Sequence, residues 1–170
     1  MDSTGNKVEG EGDWNARKHG GPKRRVWRKI HIGIDERTLE IRAVEITGSN
    51  TGDAPMLPHL FNQIPHDQEI GSVTADGAYD TRRCHNAIAD CVAAAVIPPR
   101  RIAQLWKPTT VGAIARNDAL RASKYLGRAL FRNWSGYHRR SRVETKPLGI
   151  MLRITLPVSG CIVLNYSANA

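Results

Sequence analysis

Residues 70 to 99, IGSVTADGAYDTRRCHNAIADCVAAAVIPP, decide the fold. Ile70 to Ala75 read as a short apolar strand, with Asp76 at its carboxyl end. Gly77 permits a sharp exit into a helix over about residues 80 to 91. Ala93 to Ile97 give a second short strand, stopped by Pro98-Pro99, which lack the amide protons a ladder needs. Strand, helix and strand in that order make an α/β unit. A carboxylate at a strand tip lies where α/β sheets put their chemistry.

The pattern extends in both directions. Upstream, Val26, Ile30, Ile32 and Ile34 precede Asp35-Glu36, and Leu39, Ile41, Val44 and Ile46 follow, which reads as a hairpin with a short polar turn. Residues 53 to 63 read as a short helix with Asp53 as N-cap and Met56, Leu57, Leu60 and Phe61 as its apolar stripe, Pro58 limiting its regularity. Residues 3 to 25, rich in glycine and ending in RKHGGPKRR, read as an irregular basic loop. Downstream, a basic loop carrying Arg100, Arg101, Trp106 and Lys107 leads to a helix over Val111 to Leu126, and a last helix is expected to start near Ser135. The whole order is α/β with mixed strand direction.

Composition narrows the class of partner. The 170 residues, 41% hydrophobic and 24% charged, suit one domain with a real core. The 25 Lys and Arg against 16 Asp and Glu leave a net charge of +9, with a pI near 9.9. That excess favours a polyanion such as nucleic acid, although a ribosomal or generally sticky basic protein would share it. Three cysteines, Cys84, Cys91 and Cys161, with no CxxC pair, support neither a disulfide framework nor a zinc knuckle and suit a reducing, cytosolic setting. No segment approaches the roughly 18 uncharged apolar residues of a membrane helix, and the start lacks the pattern of a leader.

One further stretch carries chemistry: YHRRSRVETK, residues 137 to 146. At about 100° per residue, steps of three and seven return to nearly the same azimuth, so Tyr137, Arg140 and Glu144 share one helix face. Such a face could hold a metal ion and a phosphate together, but a charge run usually marks only a solvated, salt-bridged surface. Asp2, Asp76 and Glu144 are three acids from separate elements. Phosphodiester cleavage needs an activated water or hydroxyl and neutralisation of the leaving oxygen, which two Mg²⁺ ions roughly 4 Å apart supply from carboxylate ligands. Taken singly, Asp2 is a terminal residue, Asp76 an N-cap and Glu144 an ion-pair partner.

DSTG at residues 2 to 5, TADGAYDTRRCHNAI at 74 to 88 and YHRRSRVETK at 137 to 146 closely resemble, in that order, the three acidic motifs of bacterial insertion-sequence transposases of the DDE superfamily, nearest the IS-five group. GEGDWNARKHGGPKRRVWRKIHIGIDERTLEIRAVE and SNTGDAPMLP also look like that group's catalytic domain, so the likeness runs from about Asp2 to Lys146. The resemblance implies an RNase H-like fold: a mixed sheet flanked by helices, with the first acid on the first strand, the second at the end of the fourth, and Glu on a late helix. It implies that Asp2, Asp76 and Glu144 ligate Mg²⁺ or Mn²⁺ and serve the hydrolysis of transposon ends, the resulting 3′-hydroxyl then attacking target DNA. Tyr137 and Arg140 match the residues that accompany Glu, Arg140 being suited to clamp a phosphate, although an aromatic on a helix face often belongs to the core. Lys18, Lys23, Arg24, Arg25, Arg28 and Lys29, interleaved with Trp14 and Trp27, form a DNA backbone track. The implied partners are inverted-repeat and target DNA and a second copy when active, in the bacterial cytoplasm at the nucleoid, with no membrane. Cys84, His85 and Cys91 have a spacing unsuited to a metal and read as helix packing.

The sequence also departs from the family. Members ordinarily have a hydrophobic strand leading into the first acid, whereas Met1 alone precedes Asp2, so the first strand of the sheet is expected to be missing. An acid on a fraying terminus is not held within the roughly 0.5 Å a catalytic shell needs. Pro147 is expected to stop the last helix, since an interior proline costs about 3 kcal/mol. Residues 147 to 170 hold a single charged residue, Arg153, and lose the likeness. The expected division is therefore a partial RNase H-like catalytic domain over 1–146 and a non-family apolar tail over 147–170, read out of frame. The alternative function is a catalytically inactive remnant that at most binds DNA or a full-length transposase.

Overall fold

A computed structural model describes residues 28–48, 50–65, 67–141 and 158–166. The alternating isoleucines become β1 (Arg28–Asp35), paired antiparallel with β2 (Ile41–Gly48) in the register Ile30↔Ile46 and Ile32↔Val44. Asp35 holds the turn, its Oδ1 accepting from the amides of Arg37 at 2.8 Å and Thr38 at 3.4 Å. Burial works to raise the Asp35 carboxyl, but these backbone bonds outweigh it and keep it low. Leu39 lies in the turn with φ 61° rather than in the second strand where its place in the alternation put it.

A 3-10 turn, Ala54–Met56, runs into α1 (Leu57–Phe61), which buries Leu57 and Leu60. Asp53 does not cap it. Its backbone is already helical (φ −74°, ψ −40°) and its carboxylate makes no capping bond, because a cap needs extended backbone to aim its side chain at the following amides.

β3 (Ile70–Thr74), α2 (Arg82–Asp90) and β4 (Ala94–Val96) form the strand–helix–strand unit, β3 and β4 running parallel. A 3-10 turn, Gly77–Tyr79, intervenes before α2, whose cap is Thr81. α3 (Val111–Leu126) begins at Thr110, whose hydroxyl accepts from the Ala113 amide. A helix not foreseen, α4 (Arg128–Trp134), comes first; Gly136, left-handed at φ 74°, separates it from a 3-10 turn at Tyr137–Arg139 that runs into helical Arg140 and Ser141, close to the start expected near Ser135. Glycine takes that conformation without a Cβ clash, which is why the chain breaks there.

The strands form a five-stranded mixed sheet in the order β2-β1-β5-β3-β4, with β5 (Val158–Tyr166) at its centre. β5 runs parallel to β1, with Ile32 opposite Cys161, and antiparallel to β3, with Thr74 opposite Val163. The interior place beside β3 is therefore filled from the apolar tail, not by a strand leading into Asp2. The physical reason lies in VSGCIVLNY, an uncharged run that buries both faces. Ile162 and Leu164 join Leu57, Leu60, Val73, Tyr79 and Ile88 on the helix-covered face, while Cys161 and Val163 join Ile30, Ile32 and Ile34 on the other. Ile162, Val163 and Leu164 are at most 1% exposed. At about 1.5–3 kcal/mol each, roughly 5–9 kcal/mol as an upper figure, they rival the net stability of a domain. The mixed sheet with helices packed against it agrees with the RNase H-like plan.

Candidate functional site

β3 finishes at Thr74 and Asp76 follows two residues later. Because β5 is antiparallel to β3 and parallel to β1, the starts of β5 and β1 lie at this same end of the sheet. Asp76 Oδ1 accepts from the Ala78 amide at 2.8 Å, so it does cap the turn that follows. Its Oδ2 lies 3.5 Å from Arg140 Nη2, and Arg140 Nη1 donates to the Tyr137 hydroxyl at 3.1 Å. Arg132 stands over the Tyr137 ring at 5.5 Å, so Tyr137 is framed by two guanidiniums rather than packed into the core. The Asp76 side chain keeps 30% of its surface open.

The structure thus brings Asp76, Arg140 and Tyr137 together. Asp2, Glu144, Lys18, Lys23, Arg24 and Arg25 lie outside the described residues, as does the loop read over residues 3 to 25. Arg28 opens β1 at the Asp76 end and is exposed. Lys29 is drawn inward, its Nζ donating to the Thr51 carbonyl at 3.0 Å and stapling the loop after β2.

A buried polar cluster that sequence reasoning missed sits at the same end. His31 faces the helix-covered side of β1, with Nε2 2.8 Å from Thr47 Oγ1 and Nδ1 3.5 Å from Asp53 Oδ1. Any side chain at Gly160 would strike the Tyr79 hydroxyl, and its Cβ would lie 2.9 Å from His31 Nδ1. Among the described residues, His31 Nδ1, Asp53 Oδ1 and Tyr79 Oη have no hydrogen-bond partner. Burial lowers the His31 pKa while the Asp53 charge works against that fall. Burial, reinforced by the charges of Asp53 and Asp76, pushes the Tyr79 phenol far above its ordinary value, so it stays a neutral hydroxyl. The available signal was Pro55, which removes one of the amides that a capping Asp53 would serve.

Beneath the Asp76 turn lies a charged scaffold. Asp80 accepts from Arg116 Nε at 3.0 Å, Arg116 Nη2 at 3.1 Å and the Arg100 amide at 3.1 Å, with His85 Nε2 at 3.2 Å. Burial acts to raise the Asp80 carboxyl; the bonds from His85, Arg116 and the Arg100 amide outweigh it and hold it below the ordinary carboxylate range. Arg100 also donates through Nε to the Gly77 carbonyl at 3.1 Å, fastening the turn from outside. Trp106 packs on this scaffold, 4.2 Å under the Arg116 guanidinium, and its backbone is held by both ends of the Asn117 amide. Arg116 was detectable as a charge within the buried stripe Gly112, Ala113, Arg116, Asn117 and Leu120. Cys84 and His85 are buried in packing, whereas Cys91 is exposed.

Residues 1–146 match the family described as the transposase DDE domain, and the chain belongs to that family. No solved structure matches the chain. β5 lies beyond the matched residues. Among the described residues no helix is long and apolar enough to cross a membrane. Nor do three or more His, Cys, Asp or Glu side chains converge as a metal site there.

Proposed function

We propose that the chain is a DNA transposition domain in which Asp76, with Asp2 and Glu144, forms the site for hydrolysing and rejoining phosphodiester bonds at transposon ends. The observation that supports it is the meeting of Asp76 with Arg140 and Tyr137 across 64 residues of sequence. Arg140 reaches both partners through its planar fork, a geometry that fits two oxygens of a phosphodiester equally well.

The donor chemistry at Asp76 fits a hard divalent cation. One carboxylate oxygen is oriented by the Ala78 amide and the side chain keeps open surface, as an oxygen ligand for Mg²⁺ or Mn²⁺ requires. When bound, such an ion activates a water or a 3′-hydroxyl and neutralises charge on the leaving oxygen. The residues of this chain do the positioning: Ala78 fixes the Asp76 carboxylate, Arg100 and Asp80 fix its turn, and Arg140 holds the phosphate. Arg28, with Lys18, Lys23, Arg24 and Arg25, tracks the DNA backbone, while Lys29 is taken up by the Thr51 carbonyl. The partners are inverted-repeat ends, target DNA and a second copy of the chain, in the bacterial cytoplasm at the nucleoid.

A second reading, a catalytically silent remnant that binds DNA or a full-length transposase, is favoured by β5, an uncharged strand in the interior place beside β3. The test is nicking of duplex DNA carrying the element's inverted repeats, with Mg²⁺ or Mn²⁺. Cleavage lost on Asp76→Ala or Glu144→Ala supports the first reading. Binding with a steep salt dependence and no cleavage supports the second; neither binding nor cleavage rejects both.

A further inference from the structure

We infer that the outer face of α3 is a docking surface for a second copy of this chain, the two helices lying antiparallel across a two-fold axis that passes between Asp118 and Arg121. α3 (Val111–Leu126) turns Gly112, Ala113, Arg116, Asn117 and Leu120 inward. On its outer side Val111, Ile114, Asp118, Arg121 and Tyr125 recur at alternating steps of three and four. That is the spacing of a coiled-coil seam, and the five positions share about 80° of the helix circumference. The seam is open to solvent, with Tyr125 90%, Val111 72% and Ile114 48% exposed. An exposed apolar row rimmed by polar residues marks an interaction surface. Beside it stand Ala115 and Ala122, small enough to let a second backbone approach.

The charges in the middle of the seam identify the occupant and its direction. Asp118 and Arg121 bond within one chain at 2.7 Å, yet their side chains stay 62% and 63% exposed, open to second partners. A parallel copy would set Asp118 on Asp118 and Arg121 on Arg121, a repulsive layer. An antiparallel copy sets Asp118 against the partner's Arg121 and Arg121 against the partner's Asp118. The same axis brings Ile114 against the partner's Tyr125. Each contact then occurs twice, as an isologous interface requires. A polar layer inside an apolar seam fixes register and orientation more than affinity. Two helices of 16 residues give less than a standard interface, so the association falls in the micromolar range. The proposed function calls for a second copy, and on that reading α3 is where it docks; the pairing itself needs neither DNA nor metal.

The experiment uses the full chain, without DNA or metal, at about 100 μM, above a micromolar dissociation constant. Sedimentation velocity should show a reversible dimer. Asp118→Arg sets an arginine on the partner's Arg121 twice over and should weaken the dimer about tenfold; adding Arg121→Asp should bring it back to within about threefold. A wild-type monomer, a dimer indifferent to Asp118→Arg, or a loss that Arg121→Asp does not repair overturns the inference. Disulfides read the orientation in a Cys91→Ser background, which lacks the exposed thiol. Ile114→Cys with Tyr125→Cys should give a covalent dimer under oxidised glutathione. Ile114→Cys alone should not, since two copies of that position lie about 16 Å apart along antiparallel helices. Cross-linking by the single variant, or by neither, overturns it. The substituted positions are solvent-facing; should a charge variant fail to fold in a circular-dichroism melt, the cysteine pair decides. Failure here leaves the nicking assay, which reads Asp76, untouched.

Discussion

Replacing Asp80 by alanine should destabilise this protein by a large share of its folding free energy. The Asp80 carboxylate answers four groups, Arg116 Nε and Nη2, the Arg100 amide and His85 Nε2. The side chains of Asp80 and Arg116 are 1% and 3% exposed, so water cannot take over. Removing one partner of a buried pair strands the other charge and costs about 3–5 kcal/mol, against roughly 5–15 kcal/mol for a whole domain. For a chain of this size that corresponds to a melting temperature lower by about 6–20 °C, or a urea midpoint lower by about 1.5–2.5 M for a slope near 2 kcal/mol/M. Asp80→Leu with Arg116→Met should cost less than Asp80→Ala alone, because an apolar pair strands no charge. The pH dependence has a definite sign. The folded carboxyl sits below its ordinary value of 3.8, so its stabilisation is complete above about pH 4 and drains away as pH falls through the folded value. Asp80→Asn should therefore flatten the acid limb of the stability curve. Urea titrations at several pH values measure both effects; a loss under about 1 kcal/mol, or an acid limb the substitution leaves unchanged, would falsify this account of the Asp76 turn.

Other perturbations test other parts of the structure. Gly160→Val should destabilise by about 1–3 kcal/mol through overpacking, and adding Tyr79→Phe should recover part of that in a thermal melt, since the hydroxyl is what the new side chain strikes. Thr110→Ala removes both the α3 cap and a 2.7 Å bond to Asn86; a loss of about 1 kcal/mol is expected, and no change in melting would mean that the cap is idle. Arg140→Ala should weaken duplex DNA binding and reduce the slope of log K against log salt by about one, whereas an unaltered slope removes Arg140 from the phosphate contact.

The strand–helix–strand core and the hairpin were legible because their signals are local: an apolar run, a glycine exit, a proline stop and a period of two. Asp76 at a strand tip and the pairing of Tyr137 with Arg140 were legible for the same reason, although Tyr137 lies in a 3-10 turn and Arg140 in the helical residues after it. What escaped depends on contacts between distant segments. Asp53 carries the composition of a cap, and only the fold shows its carboxylate turned toward His31. Asp80 and Arg116 are 36 residues apart, and neither identifies its partner in one dimension. The apolar tail supplies the middle of the sheet because that place buries both faces, and Cys161 to Leu164 offer an unbroken apolar run to fill them.

β1 and β3 run in opposite directions on either side of β5. A gap flanked by antiparallel neighbours asks of its filler length, pleat and apolar side chains on both faces, and it is indifferent to the direction of the chain. The interior of the strand thus answers for compactness, and the residue at its tip for chemistry. The two demands fall on different positions, so either can be altered in this architecture without rewriting the other.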